Sequence, residues 1–287
     1  MVRSAVTCIA YYFDYKDTAL ALKIIKTLLC FNILHKGSIL VFKKYIMTLK
    51  KNIKKNLLSY TNEWKKLTET KDIDSIIKYM NSGFSFYITR KEYNIIQANQ
   101  PEYVHYYFAI KDKEFKILII DNKADEAGDH THVFEKSLSN EIQDLSLNLM
   151  GSKDVTISME EALNRSFRWN LFSYNWLKAM SEKKYYKDHT IPLIINPIKD
   201  LENIFKNTSE SYAYHFFGLK ENNTNNDDDQ YSINSMDNYM IDLIVTNVTS
   251  IHNTDNEDDS ANDNSCIGGG CAVTIHNEKK HSLFPKE

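Results

Sequence analysis

Tyr103-Val104-His105-Tyr106-Tyr107-Phe108-Ala109-Ile110-Lys111 returns further along the chain, allowing a shift of one or two residues, as Tyr212-Ala213-Tyr214-His215-Phe216-Phe217-Gly218-Leu219-Lys220. Aromatic and β-branched side chains fit the pleated, half-buried surface of a sheet, so each row reads as a strand. Ahead of the first row, Phe84-Ser85-Phe86-Tyr87-Ile88 alternates as a strand should. Thr89 is then placed to cap a helix that runs through Glu92, Tyr93, Ile95 and Ile96 and stops near Pro101. Behind it, the polar turn Lys111-Asp112-Lys113-Glu114 leads into Phe115–Ile120. The order is β-α-β-β.

The second row has the same neighbours. Pro192-Leu193-Ile194-Ile195 is an apolar strand, and Asn196 is expected to cap a helix with Pro197 at its first position. Ile198, Leu201, Ile204 and Phe205 form that helix's apolar face, and Tyr239–Val245 is the partner of Phe115–Ile120. Element order, cap position and aromatic content all recur, which points to an internal repeat. The competing explanation is two α+β stretches that look alike through shared composition.

Between the two units, Ser158-Met159-Glu160-Glu161 opens a long helix with a capping box. One stripe of it holds Met159, Leu163, Phe167, Leu171, Tyr174 and Leu177. Another side carries Trp169, Phe172, Trp176 and Met180, with Arg165, Arg168 and Lys178 marking a wetter surface. A helix apolar on more than one side is usually buried between layers. The expected fold class is therefore α+β: two related β-α-β-β repeats packed with a long buried central helix, plus an N-terminal helical region.

That N-terminal region has a regular helical pattern from Met47, with Leu49, Ile53, Leu57, Tyr60, Trp64 and Leu67 spaced by three and four, then a short helix at Ile73, Ile76, Ile77 and Met80 before Gly83. Residues 1–46 differ in composition: seven Lys and Arg against two acids give them +5, which leaves -8 for the rest of a chain whose formal charge is -3. They read either as an extension that is not part of the folded protein or as a helix over 18–32 docked on the core. The expected divisions are 1–46; 47–157 with the first repeat; 158–251 with the central helix and second repeat; and 252–287, an acidic linker and a flexible Cys/Gly tail. The Asn/Asp-rich insertion 221–238 and the acidic stretch 252–265 lack a hydrophobic face, so both read as solvated.

Composition narrows the function classes. With 287 residues, 43% of them hydrophobic and 25% charged, the chain sits in the ordinary globular range. Lys23, Lys26, His35 and Lys36 break up the most apolar region before it reaches the length of a membrane span. A pI near 6.3 supplies no concentrated positive field, so nucleic acid is not an expected partner. Cys8 and Cys30 lie far upstream of the neighbouring Cys266 and Cys271, which is no dense disulfide framework, and no secretory signal is legible; a cytoplasmic location with reduced thiols is expected.

Three constellations could carry chemistry. Asp121-Asn122-Lys123 ends a hydrophobic strand, where a carboxylate can hold a divalent cation and a lysine two residues on, on the same side of an extended chain, can orient water. Asp125, Glu126, Asp129, His130 and His132 gather oxygen and imidazole ligands around Gly128. Cys266 and Cys271 flank three glycines, with His276 and His281 downstream, a spacing open to zinc. Each motif is short, and solvated turn, loop or tail residues are the more usual reading of it. The tyrosine and phenylalanine rows could stack bases or sugars, though core packing is the usual role of such rows. No cofactor is expected apart from zinc or another divalent metal at these residues. The function expected is a non-catalytic protein-interaction or assembly module whose partner is another protein. The alternative is a nuclease-like metal-dependent hydrolase using Asp121 and Lys123, with His130 or His132 nearby.

Overall fold

The structure, a computed structural model, describes residues 36–140, 157–182, 193–206, 211–221, 236, 239–246, 266–268 and 271–272. The first half of the chain contains helices α1 (Lys36–Glu69) and α2 (Ile73–Met80), strand β1 (Ser85–Thr89), helix α3 (Arg90–Gln97), and strands β2 (Tyr103–Lys111) and β3 (Glu114–Asp121). A short helix α4 (Asn122–Glu126), a 3-10 turn (His130–His132) and strand β4 (Phe134–Lys136) follow. The second half contains helix α5 (Met159–Glu182), strand β5 (Leu193–Pro197), helix α6 (Ile198–Lys206), and strands β6 (Tyr212–Glu221), β7 (Tyr239–Thr246), β8 (Cys266–Gly268) and β9 (Cys271–Ala272). The chain is thus a mixed α+β protein. Among the described residues, no helix is long and apolar enough to cross a membrane.

Local chemistry explains most boundaries. Thr89 and Glu92 close a reciprocal capping box on α3: the Glu92 amide donates to Thr89 Oγ1 at 3.2 Å, and the Thr89 amide donates to Glu92 Oε2 at 2.8 Å. Asp112 and Lys113 both adopt left-handed φ, 53° and 64°, the twist that joins β2 to β3 through a two-residue hairpin. At α6 the expected cap is not made. Asn196 is still a strand residue, opposite Val104, and the helix opens directly after Pro197. Asn196 is buried instead, and neither atom of its amide forms a hydrogen bond.

Two antiparallel sheets form, in the orders β1-β6-β7-β8 and β4-β3-β2-β5-β9. The hairpin β2–β3 is extended by β5, and the hairpin β6–β7 by β1, so each sheet combines strands from both halves of the chain. β1 lies on β6 from Ser85↔Phe216 to Thr89↔Tyr212, and β5 lies on β2 from Leu193↔Tyr107 to Pro197↔Tyr103. The strands of 47–157 and 158–251 are therefore interleaved.

The inner faces of the sheets share one core. It includes Phe86, Ile88, Val104, Tyr106, Phe108, Ile117, Ile119, Ile194, Phe217, Ile241, Leu243 and Val245, which are alternate residues of their strands. Phe108 and Phe217 meet edge to face across it at 5.7 Å. Helices α3 and α6 close it, with Tyr93 stacked on Phe205 at 4.8 Å. α1 covers the outer face of β2–β3 through Leu57, with Ile53 and Tyr60 beside it; further along, Trp64 reaches Phe108 in the main core. α5 does the same on the other sheet, with Ala162 against Phe216 and Ile244, then Trp169 against Phe217 in the core. Gly218 allows this close approach, because a Cβ there would stand 3.0 Å from Arg165 Cβ.

Three sequence expectations differ from this arrangement. α5 is not buried on several sides: Trp169, Trp176, Leu177 and Met180 pack inward, while Phe167, Leu171 and Tyr174 face out. α1 begins at Lys36 and passes through Met47 without a break, so the boundary at 46 falls inside one helix. Part of the expected tail, Cys266–Gly268 and Cys271–Ala272, extends the sheets at β7 and β5. The candidate helix over 18–32, most of the 221–238 insertion and the 252–265 stretch lie outside the described residues.

At Gly83 the backbone passes close against another segment, since a Cβ there would lie 2.7 Å from both Leu138 C and Ser139 N. Backbone cannot retreat as a side-chain tip can. Gly83→Ala is expected to lose about 2 kcal/mol and lower the melting temperature by about 5 °C, read by a thermal melt; an unchanged midpoint would mean the 83–85 and 138–139 segments do not pack this way.

Candidate functional site

The outer face of β2 carries polar groups among its apolar ones because His105 and Tyr107 are two residues apart and so share a face. Asp121 ends β3 and caps α4: the Ala124 amide donates to its Oδ1 at 2.8 Å, and Asn99 Nδ2 donates to its Oδ2 at 2.9 Å. The turn of helix that follows brings Asp125 over the sheet. There Tyr107 Oη donates to Asp125 Oδ2 at 2.5 Å, and His105 Nδ1 lies 2.7 Å from the same oxygen. All three side chains are buried. Burial holds the neighbouring His130 imidazole below its usual range, and Lys54 adds to that. This Tyr-Asp-His cluster lies beneath α1 and ties α4 to the sheet.

The residues singled out by sequence are thus split by the fold. The Asp121–Lys123 proposal needs an extended chain, but the chain is helical from Asn122, and Lys123 is exposed while the Asp121 carboxylate is occupied as a cap. His130 points inward and His132 outward, because residues two apart on a 3-10 turn face different directions. His132 lines a surface groove of about 730 Å³ with Arg90, Lys91, Asn94 and Asn99. Asp129 accepts from Lys50 Nζ at 3.1 Å and from Thr131; Glu126 is exposed. Among the described residues, no group of three or more His, Cys, Asp or Glu is arranged to hold a metal ion. Cys266 lies opposite Thr246 in one sheet and Cys271 opposite Ile195 in the other, and His276 lies outside the described residues. The aromatic rows are largely core: Tyr106, Tyr107 and Phe108 are fully buried.

A second polar group, missed by sequence, lies in the main core. His215 Nδ1 faces the Ala213 carbonyl at 3.1 Å, and Tyr106 Oη lies 3.1 Å from His215 Nε2. Phe86 stacks on the ring at 4.6 Å. A neutral imidazole protonated at Nδ1 satisfies both contacts, and burial pushes the His215 pKa down to about 3. Asp200, in the first turn of α6, is buried with Oδ2 making no hydrogen bond. Burial, reinforced by the charge of Asp242, pushes its pKa up to about 7. Asp242 is itself held from α5 by Arg165 Nη1 at 2.6 Å, and Arg165 Nε also donates to Glu161 at 2.7 Å.

Among the described residues, the outer stripe of α5 is an accessible apolar feature. Phe167 is 54% exposed, Leu171 69% and Tyr174 44%, at positions i, i+4 and i+7 of one helix face, with Phe172 beside them at 39%. Large apolar side chains in a continuous row are not the random singles that dot any surface. The sequence displayed both stripes of this helix; which one the sheet takes depends on the fit of Trp169 and Trp176. Comparison with protein-family models, with curated proteins and with solved structures finds no match to this chain.

The core acids and bases set a pH dependence. Asp200 binds its proton more tightly folded than unfolded, so its stabilising effect is complete below the unfolded value near 3.8 and is lost as pH rises towards about 7. His215 has the opposite sign: its contribution is present above its ordinary value of 6.5 and is lost as pH falls towards about 3. Comparing wild type with Asp200→Asn isolates the first effect. The variant's gain in unfolding free energy at pH 8 is expected to exceed that at pH 5 by about 3 kcal/mol, measured by denaturant titration at both values. Equal gains would mean that Asp200 ionises normally in the fold.

Proposed function

We propose that this protein is a non-catalytic interaction or assembly module that docks another protein on the outward stripe of α5. The observation that carries the reading is the row Phe167, Leu171 and Tyr174, exposed along a helix whose opposite face is fully engaged with the sheet. Exposing these side chains to water is unfavourable unless a partner covers them, at roughly 25 cal/mol for each Å² of apolar surface. The polar groups around Asp125 and His215, by contrast, are buried and engaged within the fold. With no disulfide framework and no membrane-spanning helix among the described residues, we place the module in the cytoplasm.

The body that presents the stripe is, in our reading, an internal duplication. An offset of 108 residues carries Ser85–Thr89 onto Leu193–Pro197, and one of 109 carries Tyr103–Tyr107 onto Tyr212–Phe216; under these offsets the β1–β6 register becomes the β5–β2 register. Each unit also begins with a helix on the outer face of a sheet, α1 in one case and α5 in the other. On this view the two units have exchanged their first strands, and the outer surfaces of the two helices have diverged: lysine-rich on α1 and apolar on α5.

A photoreactive residue placed at 167 or 171, in the cells that make the protein, should give discrete higher-mass adducts with protein. The same residue at position 123, exposed on α4, should give none. Absence of adducts from both stripe positions would remove the interaction reading.

A further inference from the structure

The outward face of α5 has a spacing that identifies the kind of partner. Glu160, Asn164, Phe167, Leu171, Tyr174 and Lys178 are all exposed and follow one another by four, three, four, three and four residues. That is the seam of a two-helix coiled coil, in which alternate steps of three and four keep one stripe facing the partner helix. The apolar residues occupy the middle of the seam, an acid stands at its N-terminal end and a base at its C-terminal end.

A seam with this charge order is complementary to itself when reversed. An antiparallel copy related by a two-fold axis between Phe167 and Leu171 sets Phe167 against the second copy's Leu171, Asn164 against its Tyr174, and Glu160 against its Lys178. Each contact then occurs twice, as an isologous interface requires. A parallel pairing instead sets Glu160 against Glu160 and Lys178 against Lys178, two like-charge contacts that disfavour it. We propose that the protein forms a homodimer through antiparallel packing of α5 on α5. This rests on the interaction reading above and names its partner: a second copy of the chain.

Among the described residues, α5 forms the outer layer over β6, with Trp169, Trp176 and Met180 turned into the core and the seam exposed, so pairing there requires no rearrangement of these elements. A short seam with three large apolar residues supports a weak, concentration-dependent dimer, one that dissociates in the micromolar range.

Sedimentation of the purified full-length chain from about 1 to 200 µM tests this. The wild type should pass from monomer to dimer. Leu171→Arg, a change on an exposed helix position, should remain monomeric throughout while keeping the wild-type melting temperature. Glu160→Arg and Lys178→Glu should each weaken the dimer about 10-fold, because each places two like-charge contacts in the interface, and the double variant should return to within about 3-fold of wild type. The rescue is specific to the antiparallel register, since a parallel dimer would gain no complementary pair from the exchange. A wild type that stays monomeric, a dimer insensitive to Leu171→Arg, or a double variant no tighter than the single ones would overturn the proposal. Monomeric behaviour together with photo-adducts at 167 and 171 would retain the interaction reading with a different protein as partner; monomeric behaviour without adducts would remove both.

Discussion

Everything in this fold depends on strand pairing between distant parts of the chain. β1 is paired along its length by β6, with only the single bridge Ser85–Ser139 inside its own half, and β5 is placed by β2, so neither sheet is complete in either half of the sequence. A lone hairpin is marginal in water, and three or more strands with a covered apolar face are needed before pairing is stable. Each half supplies the other's missing strand. Closing such long loops costs entropy before any contact offsets it, the general reason why folds dominated by non-local pairing form more slowly than those built on local contacts.

The helices follow from the sheets. With the inner faces committed to one core, each outer face needs its own cover, and α1 and α5 supply it. Each covers an outer face and, further along, sends a tryptophan into the main core, Trp64 onto Phe108 and Trp169 onto Phe217. Because α5 gives its tryptophan side to the sheet, its second apolar stripe is left outside. The exposed row is therefore a consequence of packing geometry, and it is also what distinguishes α5 from α1, whose outer surface is rich in lysine.

Buried polar groups occur where elements must be joined. Asp125 bonds to His105 and Tyr107, locking α4 beneath α1, and Arg165 joins α5 to Asp242 on β7. Such groups are costly to bury without partners, and Asp200 and Asn196 show that cost directly, one in a displaced pKa and the other in an amide without hydrogen bonds. Both lie at the entry to α6, where Pro197 stands in the place that Thr89 holds at α3 and no capping box forms.

By itself, the sequence determined the main helices and strands, though not the short elements α4, β4, β8 and β9, nor the start of α1 at Lys36. Alternation in Phe84–Ile88, the spacing from Leu49 to Leu67, and the pair Thr89 and Glu92 are local signals that act within a few residues. Only the tertiary structure decided which strands are neighbours, that Phe167, Leu171 and Tyr174 face water, and that Asp125 is bound to His105 while Asp121 serves as a cap. Those outcomes arise from contacts between residues far apart in the chain, and neither periodicity nor motif spacing carries information about what will lie on the other side of a face.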